Sequence, residues 1–151
     1  MARKLLIVYH SQSGTSAQLA LAAQRGASHE EAIETRRLRA WDAGTADLLW
    51  ADALLLVAAE NSGSLAGSMK DFLDRTFYPA QDRVNLPCAV LVSAGNDGRG
   101  ARSQFERILG GLSVKLVAEP LILRGELNHA AIARGEELGQ TLAAGLDLGI
   151  F

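Results

Sequence analysis

The loop Ser11–Ser16, with the sequence Ser-Gln-Ser-Gly-Thr-Ser, follows directly on the apolar run Leu5–Tyr9. Residues that favour helix come next, at Leu19–Ala23, so the loop is expected to open a helix. Helix-start N–H groups, the helix dipole and short hydroxyl donors can together hold a phosphate dianion without a cationic side chain. Gly14 is followed by Thr15 and not by lysine, which excludes a triphosphate loop and favours a monophosphate. The alternative is that these hydroxyls only cap the helix.

Two further loops rich in Gly, Ser and Asn, Glu60–Ser68 and Ser93–Gly100, also follow apolar runs. In a parallel sheet with helices on both faces, ligands bind outside the carboxyl ends of the strands. We therefore expect the three loops to gather at one edge of a sheet. Asn96 and Asp97 could bond a ligand or form an ordinary turn. The glycines of this loop do not follow the Gly-x-Gly-x-x-Gly order, so dinucleotide binding through that motif is unsupported.

The hydrophobic pattern predicts the elements that position these loops. Strands buried on both faces are predicted at Leu5–Tyr9, Ala53–Ala59, Ala89–Ser93 and Val114–Val117, with a fifth strand at the sheet edge over Ile33–Leu38. Apolar residues recur at helical spacing from Met69 to Phe77, from Ala101 to Leu112 and from Ala131 to Leu146. This alternation predicts a single α/β domain over residues 1–151, with a parallel sheet and helices on both faces.

The composition narrows the classes of function. The chain has 151 residues, of which 48% are hydrophobic, and a net charge of -2, which gives no electrostatic case for nucleic acid. Its apolar runs are too short to span a membrane. The three histidines are scattered in the sequence and Cys88 is the single cysteine, so we expect no metal site and a thiol buried as a small hydrophobe. The start of the chain carries no apolar signal core before the first strand, and a cytoplasmic location is therefore expected.

Two loops carry a resemblance to a known family. Five residues match a Pro-Glu-Tyr-Asn-Gly-Ser-like loop and the lysine-containing helix after it, namely Glu60, Gly63, Ser64, Gly67 and Lys70. Ser11, Ser13, Gly14 and Ser16 match a hydroxyl-rich phosphate loop. The chain thus resembles the flavodoxin-like superfamily, particularly its NAD(P)H-dependent FMN reductase branch. The resemblance implies a flavodoxin-like three-layer α/β sandwich, with a five-stranded parallel sheet in the order 2-1-3-4-5.

The resemblance also implies which residues bind FMN. The first loop holds the phosphate, while the second and third loops line two sides of the isoalloxazine ring. The implied cofactor-binding residues are Ser11, Gln12, Ser13, Gly14, Thr15 and Ser16, then Glu60, Asn61, Ser62, Gly63 and Ser64, and finally Ser93, Ala94, Gly95, Asn96, Asp97 and Gly98. No side chain is assigned a catalytic role, because the flavin carries the redox chemistry.

The chain departs from the family pattern at the second loop. Asn61 stands where the family has a tyrosine that contacts the ring, and Ala59 replaces the preceding proline. Stacked aromatic pairs contribute about 0.5–1.5 kcal/mol beyond the area they bury, so this exchange predicts a modest affinity for FMN. Trp41 or an aromatic side chain of a partner subunit is a candidate replacement, although a tryptophan in a surface loop more often has a structural role such as covering a helix end.

Three further side chains are secondary candidates. A protonated His10 could assist in binding an anion. Arg99 and Arg102 could pair with the phosphates of a nicotinamide dinucleotide, since a guanidinium matches phosphate geometry. Each of the three is also typical of a solvent-facing position.

The first functional hypothesis is an FMN-binding oxidoreductase that takes hydride from NAD(P)H and passes electrons to a quinone or another small acceptor. One alternative is a flavodoxin-type one-electron carrier, which a net charge of -2 disfavours because such carriers dock through strongly acidic surfaces. Another is a flavodoxin-like protein that no longer binds FMN. The resemblance further suggests a homo-oligomer, with neither nucleic acid nor membrane as a partner.

Overall fold

The computed structural model describes residues 2–112 and 114–151. Within those ranges the strands are β1 Arg3–Tyr9, β2 Ile33–Arg39, β3 Ala53–Asn61, β4 Ser64–Leu65, β5 Leu86–Ala94, β6 Val114–Leu116 and β7 Leu121–Arg124. The helices are α1 Thr15–Ala27, α2 Thr45–Trp50, α3 Gly67–Ala80, α4 Arg99–Gly111 and α5 His129–Leu148, and a 3-10 helix covers Ala40–Asp42.

The central sheet has the order β2-β1-β3-β5, and both β6 and β7 lie on the far side of β5. These pairings are all parallel. Leu86 at the start of β5 pairs with Val114 of β6, and Leu91 further along pairs with Leu121 of β7. The two short strands therefore share the fifth position in the sheet. The predicted parallel sheet and its order 2-1-3-4-5 are confirmed, with the last strand divided in two.

The strand count differs from the prediction at two places. Pro120, which has no N–H to donate to the ladder, lies directly before β7 and separates it from β6. The second difference is the hairpin of β3 and the antiparallel β4, where Glu60 pairs with Leu65. Its two turn residues, Ser62 and Gly63, have φ values of 51° and 74°, the left-handed backbone that matches the twist of a two-residue hairpin.

Apolar side chains cover both faces of the sheet. Leu5 and Ile7 of β1 pack with Leu19 and Leu142 on the face that carries α1 and α5. The intervening Leu6 faces the opposite layer, which contains α2, α3 and α4. Successive strand residues point to opposite faces, so a strand covered on both sides is apolar throughout. This burial explains why the central strands could be predicted as continuous apolar runs.

The segment between β2 and β3 contains helix structure that the hydrophobic pattern did not predict. Gly44 is the N-cap residue directly before α2, and its N–H donates to Asp47 Oδ2 at 2.9 Å. A helix of six residues is too short to display a helical period in the sequence. Of the helices in the described ranges, none has both the length and the apolar composition needed to cross a membrane.

Candidate functional site

Three loops meet at the carboxyl edge of the sheet because β1, β3 and β5 are adjacent and parallel. They are the Ser11–Ser16 loop before α1, the hairpin of β3 and β4, and the Ser93–Gly98 segment that leads into α4. We call them the phosphate loop, the hairpin and the third loop. Ser16 Oγ lies 3.0 Å from Ser93 Oγ, so the first and third loops are in direct contact.

The first turn of α1 is open to an anion. Gly14 precedes the helix with φ 104° and ψ -16°, and its N–H donates to Ser11 Oγ at 2.9 Å, which folds the loop back on itself. The first helical hydrogen bond runs from Gln18 N–H to Gly14 O at 3.0 Å. The amides of residues 15–17 therefore precede the helical ladder. Within the part of the chain that the structure describes, no side chain caps this turn and no acidic residue lies in it.

The space in front of the phosphate loop is accessible. A Cβ built on Gly14 would meet no heavy atom within 4 Å. Gln12 and Ser13 are exposed, whereas Ser16 is only 2% exposed and its hydroxyl is already hydrogen-bonded to Ser93. The Ser16 hydroxyl is therefore engaged with Ser93. The groups left to hold a ligand are the exposed side chains of Gln12 and Ser13 and the first-turn amides, which have no partner in the helical ladder. These groups fit a phosphate dianion.

The hairpin is attached to the start of α4. Glu60 Oε2 accepts a hydrogen bond from Ala101 N–H at 3.1 Å, which makes the carboxylate a cap of that helix. Leu65 N–H donates to Gln104 Oε1 at 2.5 Å. The carbonyl of Gly63 lies so close to Gly100 that a Cβ there would be 1.7 Å from its oxygen. The hairpin backbone is therefore held in one position relative to the third loop.

The third loop is held by contacts from both sides. Asp97 Oδ1 accepts from Arg99 N–H at 3.0 Å, and the carbonyl of Asp97 accepts from Arg124 Nε at 3.4 Å. Gly98 has φ 74°, and a Cβ there would lie 2.6 Å from Ile122 Cγ2. Arg124 and Ile122 belong to β7, which the sequence did not predict, so these contacts could not be foreseen. Three residues of the loop, Gly95, Asn96 and Asp97, remain exposed.

Two clefts border these loops. The first, of about 580 Å³, is lined by Glu60, Ser62, Gly63, Gly95, Asn96, Asp97, Arg99 and Gly100, and we call it the hairpin cleft. The second, of about 560 Å³, is lined by His10, Ser11, Gln12, Trp41, Asn61, Gly67 and Ser68, and we call it the tryptophan cleft. Both volumes are within the range of small-molecule sites. The two clefts bring together residues from each of the three predicted loops: Ser11 and Gln12 of the phosphate loop, the hairpin residues 60–63, and residues 95–97 of the third loop.

The secondary candidates occupy different positions. His10 lies in the tryptophan cleft, with its ring centroid 5.5 Å from that of Trp41 in an edge-on arrangement. Arg99 lines the hairpin cleft. Arg102 donates instead to Glu106 Oε1 on its own helix at 3.2 Å. Of the two arginines, only Arg99 is placed to meet a ligand in that cleft.

Cys88 lies away from these loops, in the interior of β5. It has no exposed surface, and burial raises the pKa of its thiol far above the usual range. A protonated, inaccessible thiol is unreactive. Among the described residues, no three His, Cys, Asp or Glu side chains come together as a set of metal ligands.

Comparison with known protein families gives a match over residues 30–125 to the model described as NADPH-dependent FMN reductase. That range includes the hairpin and the third loop and begins after the phosphate loop. A flavodoxin from Aquifex aeolicus (strain VF5) is 29% identical over 97 residues, which cover 63% of this chain and 52% of that protein. The chain therefore spans about half the length of this curated relative.

Solved structures share the fold at low sequence identity. A flavodoxin from the domain Archaea superposes with a TM-score of 0.81 at 19% identity, covering 95% of this chain and 99% of that one. A WrbA-like flavodoxin from Agrobacterium tumefaciens gives 0.78 at 16% identity, covering 97% and 99%. The flavodiiron protein from Giardia intestinalis gives 0.81 at 16% identity, covering 96% of this chain and 36% of its own. The chain has a flavodoxin-like fold.

Proposed function

The chain belongs to the NADPH-dependent FMN reductase family, and we propose that it binds FMN and acts as an oxidoreductase. The observation that carries this proposal is the first turn of α1, which no side chain caps and whose loop borders a cleft large enough for a small molecule. Ser16 in the same turn contacts Ser93 of the third loop, which leads to the second cleft. A helix start with unpaired amides and no acidic side chain is suited to a phosphate monoester.

The phosphate of FMN is assigned to the backbone amides of Thr15, Ser16 and Ala17, with Ser13 and Gln12 at the rim. Gly14 adopts the left-handed backbone at the start of the helix, and a Cβ there would meet no heavy atom within 4 Å, so the loop leaves room for a ligand at this point. Since no lysine or arginine lies in the phosphate loop, the helix dipole and the amide hydrogen bonds supply the attraction for the dianion.

The ring of FMN is assigned to the hairpin and the third loop. Because Glu60 and Leu65 attach the hairpin to α4, its backbone groups are ordered before a ligand arrives, which lowers the entropic cost of binding. The exposed residues Asn96 and Asp97 face the same cleft and can donate or accept hydrogen bonds at polar ring atoms. No side chain of the site is assigned a proton-transfer role.

When bound, FMN supplies the redox chemistry, accepting a hydride from NAD(P)H and passing electrons to a quinone or another small acceptor. Contact with NAD(P)H is assigned to Arg99, which is one of the residues that line the hairpin cleft. A guanidinium matches the geometry of a phosphate. Replacement of Arg99 by Ala is expected to raise the KM for NADPH more than that for NADH if it pairs with the 2′-phosphate.

Two measurements test this function. FMN is titrated into the purified protein, and saturable quenching of flavin fluorescence is expected. The FMN-loaded protein is then mixed anaerobically with NADPH or NADH, and bleaching of the visible flavin bands is expected with at least one of them. Failure to bind FMN refutes the proposal altogether. Binding without bleaching by either nucleotide favours the one-electron carrier.

A further inference from the structure

A cavity of about 370 Å³ lies at the amino edge of the sheet, at the opposite end of the strands from the three loops described above. Its walls come from the first residues of β1 and β5, the end of α2 and the last turn of α5. We infer that this amino-edge cavity binds a small carboxylate that carries a flat or branched apolar group. The described residues that line it include none from the phosphate loop, the hairpin or the third loop, so the inference does not depend on the proposed function.

The interior of the amino-edge cavity is apolar. Four of its lining residues are at most 7% exposed, namely Leu48, Val84, Leu86 and Leu146. Leu146 belongs to the core layer that contains α5, whereas the other three belong to the opposite layer. The cavity therefore reaches both layers around the end of the sheet. An apolar group that enters it is removed from water, which favours binding.

Phe151 provides one wall of the cavity and is held against α5. A Cβ built on Gly145 would lie 2.3 Å from Cζ of Phe151, so the ring lies in contact with the helix where the glycine leaves room. Gly149 turns the chain back at this helix end with φ 68°, and its N–H donates to the carbonyl of Leu146 at 3.2 Å. Phe151 is 37% exposed, which leaves part of the side chain available to a flat apolar group.

Two arginines line the same cavity, Arg3 and Arg83. Within residues 2–112 and 114–151, neither forms an ion pair with a carboxylate. Arg83 donates through one nitrogen to the carbonyl of Pro79 at 3.3 Å, which leaves further N–H donors for a ligand. Asp52 also lines the cavity, and its Oδ2 accepts from Lys4 N–H at 2.9 Å. Two positive side chains against one negative side chain favour an anionic ligand.

The volume of the cavity sets the size of the ligand. A water molecule takes up about 30 Å³ of the liquid, so 370 Å³ corresponds to about a dozen non-hydrogen atoms. An arylalkanoate such as 3-phenylpropanoate is of this size, and its carboxylate can accept two parallel hydrogen bonds from a guanidinium. FMN and nicotinamide dinucleotides are much larger. The ligand class of this cavity therefore differs from that proposed for the loops at the carboxyl edge.

The test titrates 3-phenylpropanoate into the isotope-labelled full-length protein and follows the backbone amide signals by NMR. Saturable shifts are expected at Asp52, Val84 and Gly149, which lie at the cavity, whereas Gly14 and Gly63 at the carboxyl edge should not shift. The neutral 3-phenylpropanamide, which has the same size, is expected to bind about tenfold more weakly because it lacks the charge that the arginines favour.

Single substitutions test the charged residues. Arg3→Gln and Arg83→Gln are each expected to raise the Kd for the acid by about five- to tenfold, as for one partly exposed charge-assisted hydrogen bond, and to leave the Kd for the amide unchanged. Asp52→Asn removes a like charge, keeps an oxygen that can accept from Lys4, and should lower the Kd for the acid. Arg107→Gln is the matched control, because it removes an exposed arginine of α4 that does not line the cavity. Thermal unfolding verifies that each variant folds.

A further substitution tests the apolar wall. Phe151→Ala is expected to raise the Kd for the acid and for the amide alike, by about threefold, because contact with an aromatic side chain does not depend on the charge of the ligand. Unchanged values for both ligands would overturn the role of Phe151.

Three results would overturn the inference as a whole. They are the absence of saturable shifts at the cavity up to millimolar concentrations of the acid, equal affinities for the acid and the amide, and an effect of Arg107→Gln as large as that of Arg83→Gln. Each titration is performed with and without FMN. Protein that binds the acid but not the flavin would refute the proposed function alone, and protein that binds the flavin but not the acid would refute this inference alone.

Discussion

The hydroxyl oxygens of Ser16 and Ser93 lie 3.0 Å apart in the interior and join the first turn of α1 to the carboxyl end of β5. Ser16 is 2% exposed and Ser93 is 7% exposed, so neither hydroxyl can exchange its partner freely for water. A buried hydroxyl without a partner carries a cost of desolvation. The pair therefore holds the phosphate loop and the third loop at a defined separation.

Removing one of these hydroxyls is expected to destabilise the fold, because the hydrogen bond is lost and the remaining hydroxyl stays buried without a partner. Ser16→Ala or Ser93→Ala should each lower the free energy of unfolding by about 1 kcal/mol, measured by urea denaturation. The double variant should lose less than the sum of the two, because no hydroxyl is left unpaired. Strictly additive losses would show that the two side chains are not coupled.

A negative charge in the first turn of α1 is expected to have opposite effects on the stability of the helix and on the binding of a phosphate group. Thr15→Glu should leave the thermal stability unchanged or raise it, by up to about 1 kcal/mol, because the carboxylate interacts favourably with the helix dipole. The same carboxylate repels a phosphate dianion, so the Kd for FMN should rise much more than the Kd for riboflavin.

The matched control for this change is Gln140→Glu, which adds the same charge at an exposed position in the middle of α5. It should leave the ratio of the two Kd values unaltered. An equal weakening of FMN and riboflavin by Thr15→Glu would place the phosphate elsewhere.

Two glycines of α4 are expected to respond to alanine with opposite signs. Gly100→Ala places a Cβ 1.7 Å from the carbonyl oxygen of Gly63 and should displace the hairpin, at a cost of about 1–3 kcal/mol and with weaker flavin binding. Gly110→Ala meets no atom within 4 Å and should stabilise the protein by about 0.5–1 kcal/mol through helix propensity. Thermal unfolding and flavin titration measure both. Similar behaviour of the two variants would contradict the close approach of the hairpin to α4.

The thiol of Cys88 is expected to be inert in the folded protein. Because burial raises the pKa of this thiol, the native state keeps its proton where the unfolded chain loses it, above about pH 8.5. The unfolded state then binds fewer protons, and the contribution of Cys88 to stability falls as the pH rises. A thiol reagent at pH 8 should react only after urea is added. The fall in stability between pH 8 and 10 should be shallower in Cys88→Ala, and rapid labelling of native protein would refute the burial.

The local pattern of residues accounts for most of the framework. Leu5–Tyr9 and Ala53–Ala59 are apolar at consecutive positions because helices cover both faces of the sheet, and this burial can be recognised without a structure. The weaker alternation of Ile33–Leu38 indicated the edge strand that β2 forms. The two-residue β4, the six-residue α2 and the short β7 carry too few residues to display a period, which is why they were not predicted.

By itself the sequence determined the kind of fold, the sheet order through the family resemblance and the location of the three loops at strand ends. The tertiary structure decided which groups are paired. The hydroxyl of Ser16 contacts that of Ser93, the carboxylate of Glu60 accepts from the backbone N–H of Ala101, and Arg75 donates to backbone carbonyls of the turn that carries Trp41. The periodic pattern of buried residues and the helix propensity are both properties of a few consecutive residues, so a short stretch of sequence displays them. A hydrogen bond between residues 32 to 77 positions apart depends on which elements the topology makes adjacent, and no local pattern of sequence indicates that choice.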